Sequence, residues 1–90
     1  MENTILIFTL NGCSHCTTLK NALTEQSISY SEIEIGQNQK VWNQIVEQTG
    51  HNTLPTVFIK KKGIDDGPVF IAGVDFQNTQ EGVEIIKKYV

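Results

Sequence analysis

Residues 4–35, TILIFTLNGCSHCTTLKNALTEQSISYSEIEI, contain the patterns from which the architecture of the chain follows. Thr4–Thr9 form a nearly continuous apolar run rich in β-branched and aromatic side chains, which is typical of a buried strand. Asn11-Gly12 ends this run, and from Ser14 to about Gln26 apolar side chains recur every three or four residues, as on one face of a helix. Ile28–Ile35 then alternate between apolar and polar side chains and predict a second strand. A strand, a helix and a strand in this order form a right-handed parallel crossover.

The rest of the chain predicts two further helices and two further strands. In chain order, the sequence predicts a helix over Gln37–Gln48, a strand over Leu54–Ile59 and a short strand near a sheet edge over Pro68–Ala72. A last helix begins after a capping box formed by Asn78 and Glu81. A polar turn, Lys61–Gly67, joins the two strands, which are therefore expected to pair antiparallel. The order β-α-β-α-β-β-α predicts an α/β sandwich in which three helices cover a mixed four-stranded sheet. At this length we expect one domain, residues 1–90.

Composition and charge exclude several classes of function. The chain has 90 residues, two cysteines and a formal net charge of -3, so a disulfide-dense scaffold is excluded. All seven basic residues are lysines, and the arginine fork that grips phosphate and guanine is missing, which argues against nucleic acid as a partner. No apolar run is long enough to span a membrane, and the start is not basic. We therefore expect a cytoplasmic protein without a membrane partner.

The segment Cys13-Ser14-His15-Cys16 carries the chemistry. Both cysteines follow a strand at the opening of a helix, where free N–H groups and the helix dipole stabilise an anion and lower the pKa of a thiol. Cys13 at the helix mouth is the expected nucleophile, and Cys16, one turn further in, is the expected resolving thiol. Zinc would need four ligands, and His15, between the cysteines, is expected to point away from their face, although His51 could complete a set on paper. The spacing beside a βαβ pattern favours a redox pair, with no metal.

Three segments together resemble the glutaredoxins, small members of the thioredoxin-fold superfamily. The first is the Cys-x-x-Cys after the first strand, and the second is Thr53-Leu54-Pro55-Thr56-Val57-Phe58, which is similar to the family's Thr-Val-Pro-x-Val-Phe. The third, Ala72-Gly73-Val74-Asp75, is a variant of the family's Gly-Gly-x-Asp. The resemblance covers nearly the whole chain in the same order, and it implies a dithiol enzyme with the thioredoxin-like fold.

The resemblance also implies a glutathione site. Pro55 is expected to be cis, which brings the backbone of Leu54 beside the two sulfurs, where it pairs with the cysteine of a bound peptide as an added strand would. Gly73, Val74 and Asp75 are expected to face the γ-glutamyl end of glutathione, with Asp75 accepting from its ammonium group. Glutathione would be the co-substrate, and no permanently bound cofactor is expected.

Several positions depart from the family pattern. Asn11 stands where many members have a lysine, Ala72 replaces the first family glycine, and Phe76 stands where many have a second acidic residue, so weaker glutathione binding is expected. His15 replaces the usual tyrosine or phenylalanine and is expected to tune the redox couple by stabilising the thiolate, unless it is a solvent-exposed spacer.

The function implied is a glutathione-dependent thiol–disulfide oxidoreductase, monomeric, acting on protein disulfides and glutathionylated proteins; ribonucleotide reductase is one substrate of that class. Two alternatives remain open at this point. One is a hydrogen donor recycled by thioredoxin reductase, although the aromatic and basic segment of such proteins is missing from Ala72–Phe76. The other is an iron–sulfur carrier, in which two protomers and two glutathiones hold a cluster through Cys13.

Overall fold

The computed structural model describes residues 3–61 and 67–89, and it has the predicted order of elements. The strands and helices are β1 Asn3–Thr9, α1 Ser14–Glu25, β2 Ser31–Glu34, α2 Gln39–Thr49, β3 Thr56–Lys61, β4 Val69–Ile71 and α3 Thr79–Lys87, and a 3₁₀ turn lies at Ile35–Gln37. The predicted turn Lys61–Gly67 lies mostly outside the described residues. Within the described ranges, no helix has the length and apolar character needed to cross a bilayer.

One mixed sheet organises the molecule, with the strand order β2-β1-β3-β4. The β1–β2 pair is parallel, as the crossover predicts, and sets Thr9 opposite Glu34. The β1–β3 and β3–β4 pairs are antiparallel, and β4 lies at the sheet edge, as predicted. The mixed four-stranded sheet with three helices is therefore confirmed.

Apolar side chains on the two faces of the sheet form two cores, because successive residues of a strand point to opposite faces. The larger core joins the central strands to α1 and α3 and contains Ile5, Ile7, Leu19, Leu23, Ile28, Val57, Ile59, Phe76, Val83 and Ile86. The smaller core lies under α2 and contains Phe8, Ile35, Trp42 and Ile45. The Trp42 ring packs against Phe8 with the ring centroids 5.6 Å apart, so the tryptophan is a core residue, as its place on the apolar stripe of α2 predicts.

The second strand is shorter than the alternation over Ile28–Ile35 predicts, because the first part of that segment caps α1 and its last part starts the 3₁₀ turn. Ser27 has φ 58, and the Ile28 N–H donates to the Leu23 carbonyl at 2.9 Å. This arrangement is a Schellman cap of α1, with a serine in the left-handed position and Ile28 in the apolar position after it. At the other end, the Glu34 carboxylate accepts from the Gln37 N–H at 3.1 Å and starts the 3₁₀ turn.

The remaining boundaries move by about two residues. β3 begins at Thr56 rather than Leu54, and α2 ends at Thr49, where Gly50 takes the predicted left-handed conformation with φ 76. Asn78 caps α3 by accepting from the Glu81 N–H at 2.9 Å. The Glu81 carboxylate reaches back to the Gln77 N–H at 2.8 Å, one residue earlier than a standard capping box requires.

Candidate active site

Cys13 is the N-cap residue of α1, in the extended conformation that suits such a position. Its sulfur accepts a hydrogen bond from the Cys16 N–H at 3.2 Å, so this sulfur takes the place that a serine or aspartate oxygen usually fills. The structure pairs the two cysteines as a disulfide, with their Cα atoms 5.3 Å apart. Cys13 is half-buried, whereas Cys16 is 1% exposed, which is the difference in access that the sequence predicts.

The loop between β1 and α1 sets the position of Cys13. Gly12 has φ 88, a conformation that side chains disfavour, and the Cys13 N–H donates to the Leu10 carbonyl at 3.0 Å. The Asn11 N–H donates to Glu34 Oε2 at 3.3 Å, so the carboxylate at the end of β2 contacts the loop two residues before the first cysteine. The active-site loop is therefore closed by a turn of its own and is tied to the neighbouring strand.

A buried hydroxyl at the end of β1 joins a second carboxylate to this region. Thr9 is 1% exposed, and its Oγ1 donates to Glu32 Oε2 at 2.6 Å. The Lys20 Nζ on α1 donates to the same oxygen at 2.8 Å. The hydrogen bond from Lys20, followed by the one from Thr9, holds the pKa of the Glu32 carboxyl below its usual range. The network links α1, β1 and β2 to one another.

The segment before β3 forms the opposite side of the site. The Leu54–Pro55 bond is cis, as predicted. The Pro55 carbonyl accepts from the Ala72 N–H at 3.3 Å, and the Thr53 carbonyl accepts from the buried Thr56 hydroxyl at 2.7 Å. Leu54 itself is half-buried, and within the described parts of the chain its backbone N–H and C=O have no hydrogen-bond partner.

A groove of about 260 Å³ runs beside the cysteine-bearing helix towards the N-terminus of α3. Its lining residues are His15, Leu19, Thr53, Leu54, Pro55, Ala72, Gly73, Phe76, Gln77, Asn78 and Thr79. The structure thus brings four of the predicted site residues to one groove: His15, Leu54, Pro55 and Gly73. His15 is exposed and shares the groove with Leu19, which is one helical turn further along α1.

Val74 and Asp75 do not line the groove, and neither do Cys13 and Cys16, which lie at the N-terminus of the helix beside it. Gly73 turns the chain with φ 85 and itself lines the groove. Val74, the next residue, is 50% exposed. One oxygen of the Asp75 carboxylate accepts from the Ile71 N–H at 2.8 Å. Asp75 therefore closes its own loop onto the edge strand.

The sequence did not single out Thr56, whose hydroxyl holds the segment before β3, or the Thr9–Glu32 pair, which lies outside the groove, and it treated Phe76 only as a missing acid. Phe76 is buried in the larger core, and a Cβ built on Gly82 would approach its ring at 3.1 Å. A threonine that interrupts an apolar strand is a weak sign of a buried hydroxyl bond, and Thr9 carries that sign. Among the described residues, no three histidine, cysteine, aspartate or glutamate side chains are grouped as metal ligands.

Comparison with known proteins identifies the family. The family model for glutaredoxin matches residues 5–64. A glutaredoxin of Vernicia fordii is 31% identical over 66 residues, which are 70% of this chain and 64% of that protein. Glutaredoxin 1 of Rickettsia conorii is 32% identical over 59 residues, 63% of this chain and 58% of that protein. The chain thus spans less than two thirds of the length of either relative.

Solved structures confirm the thioredoxin-like fold. The crystal structure of a buckwheat glutaredoxin–glutathione complex has a TM-score of 0.62 at 22% identity and covers 97% of this chain and 71% of that one. The solution structure of glutaredoxin from Brucella melitensis has a TM-score of 0.59 at 20% identity, and the match covers 97% of this chain and 82% of that one. Because these structures are only 22% and 20% identical to the chain, they show the fold alone. The family assignment rests on the match to the family model and on the similar sequences. The chain belongs to the glutaredoxin family.

Proposed function

We propose that the protein is a glutathione-dependent thiol–disulfide oxidoreductase that reduces protein disulfides and glutathione mixed disulfides. The observation that carries the proposal is the position of Cys13, half-buried at the N-cap of α1, with its sulfur accepting from the Cys16 N–H. In the reduced protein, the same N–H group and the helix dipole would stabilise a thiolate. Cys16 is buried one turn behind it, within reach of the Cys13 sulfur.

The first step is nucleophilic. The Cys13 thiolate attacks one sulfur of the substrate disulfide, a Cys13–substrate mixed disulfide forms, and the other substrate sulfur leaves as a thiolate that takes up a proton. With a glutathionylated protein, the sulfur attacked is that of glutathione, so the protein thiol is released and glutathione stays on Cys13.

The second step resolves the mixed disulfide by one of two routes. A glutathione thiolate attacks the glutathione sulfur held on Cys13, which releases glutathione disulfide and regenerates the Cys13 thiolate. With a protein disulfide, Cys16 attacks the Cys13 sulfur, the reduced substrate leaves, and two glutathione molecules then reduce the Cys13–Cys16 disulfide to give glutathione disulfide. Each route moves two electrons from glutathione to the substrate.

The groove supports glutathione as the co-substrate. The free backbone groups of Leu54 can pair with the cysteine of a bound tripeptide, as in strand addition, and Gly73 lets the chain approach the γ-glutamyl end closely. The buckwheat glutaredoxin of the same fold was solved as a glutathione complex. We propose that Val74 and Asp75 contribute from the rim of the groove, with the second Asp75 oxygen as the acceptor.

The proposed setting is a reducing, glutathione-rich compartment such as the cytoplasm, where the Cys13–Cys16 disulfide would be reduced after each turnover. The proposed unit is a monomer of one domain. Its protein partners are disulfide-containing or glutathionylated proteins, with ribonucleotide reductase among the substrates of that class to be tried.

The test is steady-state reduction of a small glutathione mixed disulfide, coupled to glutathione reductase, with the wild type, Cys13→Ser and Cys16→Ser. We expect Cys13→Ser to abolish turnover, because the helix-mouth thiolate is lost. Cys16→Ser should retain turnover of the mixed disulfide, because glutathione resolves the intermediate, and should lose reduction of a peptide with an internal disulfide. An equal loss of mixed-disulfide turnover in both variants would contradict the assigned roles.

A further inference from the structure

We infer that Thr56 is a positioning residue for thiol exchange, because its buried hydroxyl holds the segment that presents Leu54 to the substrate. The inference rests on the proposed function for its choice of substrate. Thr56 is the first residue of β3 and is 1% exposed. Its Oγ1 donates to the Thr53 carbonyl at 2.7 Å.

The anchor for this hydrogen bond is rigid. β3 is an interior strand, and Thr56 is paired with Phe8 on one side and with Ile71 on the other. Pairing on both sides fixes the backbone of Thr56, and burial restricts its side chain, so the hydrogen bond mainly restrains the exposed partner. The partner, Thr53, is exposed and precedes the strand.

The segment that is held lies at the site. The chain is held on both sides of Leu54. The Thr53–Leu54 peptide group is held through the Thr53 carbonyl, and the Pro55–Thr56 peptide group is held through the Pro55 carbonyl, which accepts from the Ala72 N–H at 3.3 Å. The Leu54 N–H and C=O between these two points are left for a ligand. Substrate affinity gains from such a restraint because the segment need not be ordered when the substrate binds.

The substitution Thr56→Val removes the hydroxyl and keeps the shape of the side chain, and Thr56→Ser keeps the hydroxyl and removes the methyl group. Both variants should unfold at a lower urea concentration. Only Thr56→Val should raise KM for a glutathione mixed disulfide. We expect an increase of about fivefold, which is the factor that corresponds to one hydrogen bond of ordinary strength. The value of kcat should change by less than about twofold. Thr56→Ser should keep the wild-type KM.

The matched control is Thr9→Val, which removes the other buried threonine hydroxyl of the described chain, one that bonds to Glu32 rather than to the segment before β3. It should lower stability and leave KM unchanged. The pH profile of Cys13 alkylation by iodoacetamide in the reduced proteins should be the same for the wild type and Thr56→Val, because the thiolate contacts are untouched.

The outcomes separate this inference from the proposed function. A wild type that fails to turn over the glutathione mixed disulfide overturns the proposed function, and the same four proteins are then compared on a disulfide-bonded cysteinyl peptide with dithiothreitol as the reductant. Two results would overturn the positioning role, with either substrate. One is that Thr56→Val and Thr9→Val have the same KM. The other is that Thr56→Ser raises KM as much as Thr56→Val does.

Discussion

The hydroxyl of Thr9 should stabilise the fold in a pH-dependent way, and the substitution Thr9→Val tests this. Thr9 is 1% exposed, so valine fills the same space without opening a cavity. The change removes one hydrogen bond, of 2.6 Å, to Glu32 Oε2. A bond to an ionised acceptor contributes about 1.5–3 kcal/mol when it is well buried, but the Glu32 side chain is 39% exposed. Water therefore replaces part of the contact, and we expect a loss of about 1 kcal/mol at pH 7.

The pH dependence follows from the direction in which the Glu32 pKa is shifted. Lys20 and then Thr9 lower this pKa in the folded protein, so Glu32 binds its proton more readily when the chain is unfolded. Its stabilising contribution is fully present above the unfolded value of about 4.3 and is lost as the pH falls through the lower folded value. The difference in stability between the wild type and Thr9→Val should therefore shrink over the same acidic interval.

The assay is urea unfolding of the reduced proteins, followed by circular dichroism at pH 7 and at several values below 4. An NMR titration of the Glu32 carboxyl should show a higher pKa in Thr9→Val than in the wild type, while Lys20 still keeps it below the ordinary value. Thr9→Ser, which retains the donor, is the control for the hydroxyl. Equal stability of Thr9→Val and the wild type at pH 7, or a difference that stays constant into acid, would refute the reasoning.

Two further predictions concern the site. The reduction potential of His15→Tyr, measured in glutathione redox buffers, should be more negative than that of the wild type if the imidazole stabilises the reduced dithiol. Agreement within about 10 mV, a third of the 30 mV that marks a tenfold change, would make His15 a spacer. Asn11→Lys should lower KM for glutathione mixed disulfides about twofold to threefold by attracting the anionic tripeptide, and the gain should vanish at high salt because the charge is exposed. An unchanged or raised KM at low salt would mean that the neighbouring Glu34 carboxylate, which already contacts the Asn11 N–H, cancels the added charge.

Local patterns predict the elements of this fold because each element has an apolar period of its own. The run Thr4–Thr9, the helical stripe after Ser14 and the left-handed Gly50 all lie where the sequence places them. The exception is Ile28, which suits a strand by alternation and is used instead to cap α1. A pattern with period two cannot distinguish these roles, because the cap depends on a positive φ at Ser27 that its residue type does not announce.

The contacts around the site are less predictable than the fold because they are long-range. Thr9 and Glu32 are 23 residues apart in the chain and meet only because β1 and β2 pair in parallel with a particular register. The same holds for the contact between the Asn11 N–H and Glu34, which have the same separation. The position of Cys13 at a helix mouth was predictable, since strand, loop and helix are consecutive. The contacts of the Glu32 and Glu34 carboxylates could not be predicted in this way, because they depend on the register of the sheet.

Asp75 and Phe76 show how the loop before α3 combines a structural role with the proposed recognition of glutathione. One Asp75 oxygen closes the loop by accepting from the Ile71 N–H, yet a carboxylate offers about four acceptor positions, so the second oxygen can still face an ammonium group. Phe76 is 4% exposed and packs in the core beside Gly82, and an acidic side chain there would place a charge in an apolar core at high cost. The loop therefore has room for one carboxylate and not for two. If the γ-glutamyl end binds here, its ammonium group depends on Asp75, a residue that the hydrogen bond to Ile71 already holds in one orientation.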